Sequence, residues 1–188
     1  MAIPYITALR PIDHVQATGR TKVVLDRALS QVGFIPNMYA NMANAPAVLD
    51  TYLHGYGYFR GESGFSPAEQ EVVFLAISRA NGCSYCTAAH SMIADKMSRV
   101  PADVLKAIMR EEPIPDEKLA ALFAMTEDIV VSRGRPSPDN VRRYLRAGFD
   151  EQSLLYIVLA ASVKVLSNYT NHAFATPVDA AFAAYATG

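Results

Sequence analysis

The sequence predicts an all-α protein, and three observations lead to this fold class. Residues that start helices recur along the chain, since Ser66, Ser137 and Asp150 can each act as an N-cap and a proline follows the two serines. No stretch shows the alternation of apolar and polar residues that is typical of a half-buried strand. The 188 residues are 51% hydrophobic and 19% charged, which is enough apolar material for one buried core. We therefore expect a single helical domain over residues 1–188.

The clearest helix begins at Ser66. Ser66 and Glu69 form the spacing of a capping box, Pro67 occupies the first helical position, and Gly82 ends the helix. Ser137 opens a further helix in "PDNVRRYLRAG", and Asp150 opens one over 151–174. The remaining helices are expected at 20–31, 36–43, 46–59, 84–97, 101–111, 116–133 and 176–185. A proline lies near the start of most of them, where its missing N–H costs little.

Two of these helices should lie at the centre of the fold. Residues 72–77 are apolar on every side of the helix that Ser66 starts. The apolar run "LLYIVLAASVKVL" at 154–166 is shorter than the roughly 20 residues that span a bilayer, and it contains Lys164. We therefore expect a buried helix there and no membrane span.

The chain also shows signs of an internal duplication. When Gly64 is placed over Gly148, the segment "GFSPAEQEVVFLAISRANGCSYC" lies over "GFDEQSLLYIVLAASVKVLSNYT" with matching caps and several identical residues. The two halves would be roughly 20–100 and 101–188. The second copy has Leu155, Ser167 and Thr170 where the first has Glu71, Cys83 and Cys86. We therefore expect the chemistry to belong to the first copy.

Charge and the N-terminal sequence limit the partners and the compartment. Seventeen basic and eighteen acidic residues without a long basic run indicate neither a nucleic-acid-binding surface nor a surface for anionic membranes. The start, "MAIPYITALRPIDHVQ", lacks the basic and apolar regions of a secretory signal. We expect a cytoplasmic protein whose partners are small molecules or other proteins.

The segment "NGCSYCTAAH" at 81–90 contains both cysteines. If Cys83 starts a helix after Gly82, then Cys86 and His90 follow on the same face, and a disulfide between the sulfurs needs only a small movement. The helix N-terminus favours a thiolate, and His90 can accept the thiol proton. Glu71 precedes this segment on the helix that folds back against it, where burial would raise its pKa and suit it to proton transfer.

Three kinds of site remain open from the residues alone. A redox-active pair is one. A zinc site is the second, although Cys83, Cys86 and His90 supply three ligands and no obvious fourth exists. Inert thiols are the third. Covalent haem attachment is not expected, because Thr87 and not histidine follows Cys86.

The spacing resembles that of a known family. Glu71, eleven residues, "CSYC", three residues and His90 resemble the core motif of the alkylhydroperoxidase D-like branch of the carboxymuconolactone decarboxylase superfamily, and "GFIPNMYANMANAPAVLDTYLHGYGYF" at 33–59 resembles the preceding segment of its peroxidase-related members. The resemblance implies an all-α alkylhydroperoxidase D-like helical array that assembles into homo-trimers or homo-hexamers. It also implies a CxxC pair that reduces hydroperoxides without haem, flavin or metal.

The resemblance also implies a role for each site residue. Cys86 would be the peroxidatic nucleophile, Cys83 the resolving thiol, and Glu71 and His90 members of a proton relay. Tyr85 stands where the best-known members have a histidine, and its hydroxyl can donate a hydrogen bond. A dithiol donor, either a lipoylated protein or a thioredoxin-like one, would reduce the disulfide. The alternatives are a carboxymuconolactone decarboxylase-like enzyme and a zinc-binding or structural oligomeric protein.

Overall fold

The computed structural model describes residues 3–186, and every regular element within them is helical. Nine α-helices occur in this part of the chain, followed by a short 3₁₀ helix at Ala180–Tyr185: α1 Gly19–Val32, α2 Asn37–Met42, α3 Pro46–Glu62, α4 Pro67–Ala80, α5 Ser84–Lys96, α6 Ala102–Arg110, α7 Glu117–Val131, α8 Pro138–Arg146 and α9 Glu151–Phe174. The predicted all-α class is confirmed.

The predicted caps are present at the starts of the helices. At α4 the Ser66 hydroxyl accepts a hydrogen bond from the Glu69 N–H, and the Glu69 carboxylate accepts one from the Ser66 N–H. The side chains of Ser137 and Asp150 accept N–H groups in the same way at α8 and α9. Local sequence therefore determines where these helices begin.

The predicted helix at 176–185 is only partly present. Residues 176–179 are not helical, and the 3₁₀ helix begins at Ala180. The Asp179 carboxylate accepts hydrogen bonds from the backbone N–H of Asn37 and from the Tyr85 hydroxyl. This segment is therefore held by α2 and α5 and not by a helical ladder of its own.

The two segments of the predicted duplication differ in shape. The first copy forms α4 and α5, which are separated by a turn at Asn81 and Gly82. The second copy forms the single continuous helix α9. The duplication, with its halves at 20–100 and 101–188, stays a prediction.

The core consists of two hydrophobic clusters that meet at α3 and α9, where Tyr56 and Leu159 pack against both. One cluster contains the apolar residues of α4 with those of α6, α7, α8 and the first half of α9. The other joins α1, α2, α3 and α5 to Val163 of α9. Helix α9 has the length and composition of a possible membrane span, a property that buried core helices share. Here α9 packs against α2, α3, α4, α5 and α7.

Helices α3 and α9 approach each other closely at Gly55. A Cβ atom at this position would lie 2.6 Å from Cγ2 of Val163, which is closer than two carbon atoms can be without displacement. The glycine therefore allows α3 to lie directly on α9.

Candidate active site

A tight turn between α4 and α5 places the cysteines. Gly82 adopts a φ of 64°, a conformation that glycine accepts without strain, and the N–H of Cys83 donates to the Ser78 carbonyl at 2.8 Å. Cys83 is the N-cap of α5, and Cys86 lies in its first turn. The predicted arrangement of Cys83 at the start of this helix is confirmed.

The two sulfurs are free thiols that share one hydrogen-bond donor. Both cysteines are buried, and Nδ2 of Asn171 lies 3.3 Å from Sγ of Cys86 and 3.8 Å from Sγ of Cys83. The Ser167 hydroxyl lies 3.8 Å from Sγ of Cys86. Helix α9 therefore covers the thiol pair, Cys83 and Cys86, with polar groups.

The two thiols have opposite acidities. A hydrogen bond to Cys86, and next burial, raise the pKa of Cys83 far above that of an ordinary thiol. Burial raises the pKa of Cys86, but the hydrogen bond from Cys83 and the charge of Lys164 outweigh it, so this pKa lies well below the usual range. Of the two sulfurs, Cys86 is therefore the one that ionises more readily.

Glu71 and His90 form a buried pair beside the thiols. Nδ1 of His90 lies 2.8 Å from Oε2 of Glu71, and Oε1 of Glu71 forms an ion pair with the guanidinium of Arg60. The His90 ring stacks on Phe74, with 4.6 Å between the ring centroids. Arg60, Glu71 and His90 thus form a chain of contacts, which we call the relay, and His90 lies one turn after Cys86 on α5.

The prediction that burial raises the pKa of Glu71 is wrong. Burial does act in that direction, but the charges and hydrogen bonds of His90 and Arg60 lower the pKa by more. Burial, and next the charge of Lys164, lower the pKa of His90. At neutral pH, Glu71 is therefore a carboxylate, and His90 is a neutral imidazole whose Nδ1–H donates to it. Nε2 is then free to accept a proton.

Tyr85 is directed away from the relay. Its hydroxyl donates to the Asp179 carboxylate and accepts the N–H of Met38 at 3.4 Å. Burial, and next the hydrogen bond to Asp179, raise the pKa of Tyr85, so the hydroxyl stays protonated. The structure thus places Tyr85 where it holds the C-terminal segment, and it brings Cys83, Cys86, Glu71 and His90 together as predicted.

A cavity of about 550 Å³ lies beside Cys86. Tyr85, Cys86, His90 and Lys164 belong to its walls. Most of the other lining side chains are apolar or aromatic, among them Phe34, Met38, Tyr39, Tyr52, Leu53, Tyr56 and Phe182. A second cavity, of about 530 Å³, has neither a cysteine nor a histidine in its walls. The first cavity is therefore the candidate substrate site.

Sequence reasoning missed four residues that surround this chemistry, namely Arg60, Lys164, Ser167 and Asn171. The last three lie on α9, so the second copy of the repeat contributes to the site, contrary to the expectation for that segment. A lysine inside the apolar run 154–166 was a signal for Lys164. No signal in the sequence pointed to Arg60 or Asn171.

The geometry does not support a zinc site at the cysteines. Within residues 3–186, no three side chains of His, Cys, Asp or Glu are arranged to hold a metal ion. His90 directs Nδ1 to Glu71. The trio of Cys83, Cys86 and His90 therefore does not converge on one point.

Comparison of the sequence with known families gives one match. Residues 46–128, which include the thiol pair and the relay, match the carboxymuconolactone decarboxylase family. No curated protein matches the sequence.

Several solved structures have the same fold over nearly the whole chain. A protein of Ralstonia eutropha JMP134, described as an alkylhydroperoxidase AhpD core and as an uncharacterized peroxidase-related protein, has a TM-score of 0.78 at 17% identity, over 96% of each chain. The debrominase Bmp8 in complex with 2,3,4-tribromopyrrole has a TM-score of 0.78 at 17% identity, over 97% of each chain. An uncharacterized peroxidase-related protein of Silicibacter sp. TM1040 has a TM-score of 0.75 at 19% identity, over 95% of this chain and 94% of that one. At these identities the likeness establishes the fold, and it agrees with the family match.

Proposed function

We propose that this chain, of which residues 46–128 match the carboxymuconolactone decarboxylase family, is a member of that superfamily and a cysteine-based oxidoreductase whose substrates are hydroperoxides. One observation carries this proposal: two buried free thiols, Cys83 and Cys86, share the Asn171 amide as a donor, and Cys86, the more acidic of the two, lies in the wall of an apolar cavity. A thiolate with a protonated partner thiol is the arrangement that a two-electron oxidation to a disulfide requires.

The first step is attack of the Cys86 thiolate on the terminal oxygen of the hydroperoxide. An S–O bond forms, the O–O bond breaks, and the sulfur becomes a sulfenic acid while an alkoxide leaves. The Cys83 sulfur then attacks the sulfenic sulfur, so that a disulfide forms and water leaves with the Cys83 proton. The peroxide is reduced by two electrons, and the two cysteines supply them.

The alkoxide must gain a proton to leave as an alcohol. In this proposal Nε2 of His90 collects a proton from solvent in the cavity and delivers it to the alkoxide. The carboxylate of Glu71 holds the ring by its Nδ1–H and stabilises the imidazolium during transfer, as carboxylates do for other catalytic histidines. Arg60 keeps Glu71 ionised.

A dithiol donor would complete the cycle. One donor thiolate attacks the disulfide to give a mixed disulfide, and the second donor thiol then displaces the enzyme sulfur. Both cysteines are buried, so the donor must reach them through the cavity, which favours a slender arm such as a lipoyl group over a broad protein surface.

Debromination is a second candidate reaction. The cavity is lined by several aromatic rings and is large enough for a substituted five-membered ring, and the debrominase Bmp8 shares the fold. Release of bromide from 2,3,4-tribromopyrrole in the presence of a dithiol would favour this reaction. The residues alone also left a lactone decarboxylase open, but a buried thiol pair has no part in that chemistry.

We also propose that the chain forms a homo-oligomer, as a trimer or hexamer. Leu155, Val158, Val165 and Tyr169 are exposed on one face of α9. Four large apolar side chains on one helix face are typical of a surface that a second copy covers.

The experiment that tests the proposed reaction is steady-state consumption of an organic hydroperoxide with dihydrolipoamide or reduced thioredoxin as donor. The wild type should oxidise one dithiol for each hydroperoxide consumed, and Cys86→Ser should consume none. Equal rates in the two proteins would contradict the proposal. Zinc content, measured on both proteins, separates a metal-dependent background from the thiol reaction.

A further inference from the structure

Lys164 is a fully buried lysine in the interior of this protein. Its side chain is fully buried in α9, and its Nζ has no hydrogen-bond or ion-pair partner within residues 3–186. Lysines are almost never fully buried unless they are paired, because removing an ammonium from water is costly. A negative charge close to Nζ would offset this cost.

The position of Lys164 on α9 points to that charge. Lys164, Ser167 and Asn171 are spaced by three and four residues, so their side chains share one face of the helix. Ser167 and Asn171 contact Sγ of Cys86 from this face, at 3.8 and 3.3 Å. Lys164 therefore lies one helical turn before the residues that cover the thiolate.

Contacts with aromatic rings locate the ammonium more closely. Nζ of Lys164 lies 5.6 Å from the ring centroid of Phe74, and the same ring stacks on His90. Lys164 also shares the walls of the cavity with Cys86 and His90. The ammonium is therefore in the group of side chains that surrounds the reactive sulfur.

The other charges around Lys164 are already balanced. The carboxylate of Glu71 from α4 is paired with Arg60 from α3 and holds the neutral His90 from α5. The remaining titratable groups that face this region are uncharged at neutral pH, and they are Cys83, Tyr39, Tyr52, Tyr56 and Tyr85. The thiolate of Cys86 is the charge that remains to pair with Lys164.

We propose that the Lys164 ammonium is the counter-ion of the Cys86 thiolate and acts as a positioning residue for it. This inference rests on the proposed function only in taking Cys86 as the reactive sulfur. The acidity of Cys86 agrees with this pairing. Burial raises the pKa of Cys86, and the hydrogen bond from Cys83 and then the charge of Lys164 lower it.

The pairing has a consequence for the redox cycle. When the disulfide forms, the negative charge of Cys86 disappears and Lys164 is left buried without a counter-ion. Reduction by a dithiol restores the thiolate and with it the ion pair. Lys164 therefore stabilises the reduced form relative to the disulfide. A stabilised thiolate in the reduced form makes the corresponding disulfide a stronger oxidant.

The test measures the acidity of Cys86 in a Cys83→Ser background, where it is the one remaining thiol of the chain. The rate of alkylation by iodoacetamide is followed from acidic to alkaline pH, because only the thiolate reacts. Lys164→Met should lower the rate about 10- to 100-fold at weakly acidic pH and leave the alkaline limit unchanged, since an ion pair or charged hydrogen bond has about this effect on a thiolate. Lys164→Arg should restore most of the rate.

Two further variants make the result decisive. Lys106→Met makes the same substitution at an exposed position of α6 and should reproduce the parent profile. Lys164→Gln replaces Lys164→Met if the latter does not fold. An unchanged profile in a folded neutral variant, or a rate lowered equally at every pH, would overturn the proposal. The assay contains no hydroperoxide, so absence of peroxidase activity in the wild type would refute the proposed function and not this pairing.

Discussion

Replacing Glu71 with glutamine would break the relay at its centre. The substitution keeps the size of the side chain but removes the charge that pairs with Arg60. Loss of one partner of a buried ion pair costs about 3–5 kcal/mol when the other charge is left uncompensated. Here the Arg60 side chain is 22% exposed, so the residual charge is partly solvated.

Other contacts of Arg60 reduce the cost further. Its guanidinium donates to the Gln70 side chain at 3.0 Å and lies over the rings of Tyr56 and Phe74, with 4.9 and 4.8 Å to the centroids. We therefore expect Glu71→Gln to lower the free energy of unfolding by about 2–4 kcal/mol. For a chain of this length, that corresponds to a fall of about 5–15 °C in Tm.

The effect should depend on pH in a defined direction. The pKa of Glu71 is lowered in the folded protein, by His90 and Arg60 against the opposing effect of burial. Its contribution to stability is therefore fully present above the ordinary carboxyl pKa of about 4.3 and is lost as the pH falls through the lowered value. The difference between wild type and Glu71→Gln should thus be largest at neutral pH and should shrink in acid.

Denaturant unfolding of both proteins at neutral and acidic pH measures this difference. Glu62→Gln is the matched control, because Glu62 is exposed at the end of α3 and its replacement should change stability by less than about 0.5 kcal/mol. The role given to Glu71 would be refuted if Glu71→Gln were as stable as the wild type at neutral pH. It would also be refuted if the difference in unfolding free energy between the two proteins did not shrink in acid.

Three further predictions concern packing, redox stoichiometry and assembly. Gly55→Ala should destabilise the protein by about 1–3 kcal/mol through the clash with Val163. Gly61→Ala is the control, because an added Cβ meets no atom within 4 Å there, and it should be neutral or stabilising by up to about 1 kcal/mol. Thermal unfolding compares the two variants, and equal effects would contradict the close helix contact. Mild peroxide should remove two free thiols per chain without joining chains, and disulfide-linked dimers on a non-reducing gel would contradict an intrachain pair. Light scattering at micromolar concentration should give a trimeric or hexameric mass that falls in Leu155→Lys, and a monomeric wild type would rule out the assembly.

The sequence was sufficient for those features that local interactions determine. Caps at Ser66, Ser137 and Asp150 fix helix starts through bonds between residues three apart, so they can be recognised from the sequence. The spacing of Cys83, Cys86 and His90 likewise follows from the geometry of one helix. The segment 176–179 was misjudged because Asp179 bonds to Asn37 and Tyr85, which are distant in sequence.

The electrostatics of the site depend on contacts between helices that no spacing reveals. Arg60 reaches Glu71 from α3, and this pairing reversed the predicted pKa shift of the carboxyl. Asn171 and Ser167 reach Cys86 from α9, across a packing that forms only in the folded chain. Lys164 was visible as a lysine in an apolar run, but its proximity to the thiols was not.

The most direct test of the account is single-turnover consumption of an organic hydroperoxide, with mass analysis, in reduced Cys83→Ser and Cys86→Ser. We expect Cys83→Ser to consume about one equivalent and to gain one oxygen atom as a sulfenic acid on Cys86, because only the resolving step is lost. Cys86→Ser should consume none, because it lacks the attacking sulfur and burial still raises the pKa of Cys83. The assignment of Cys86 as the nucleophile would be contradicted if Cys83→Ser were inert and Cys86→Ser formed a sulfenic acid on Cys83.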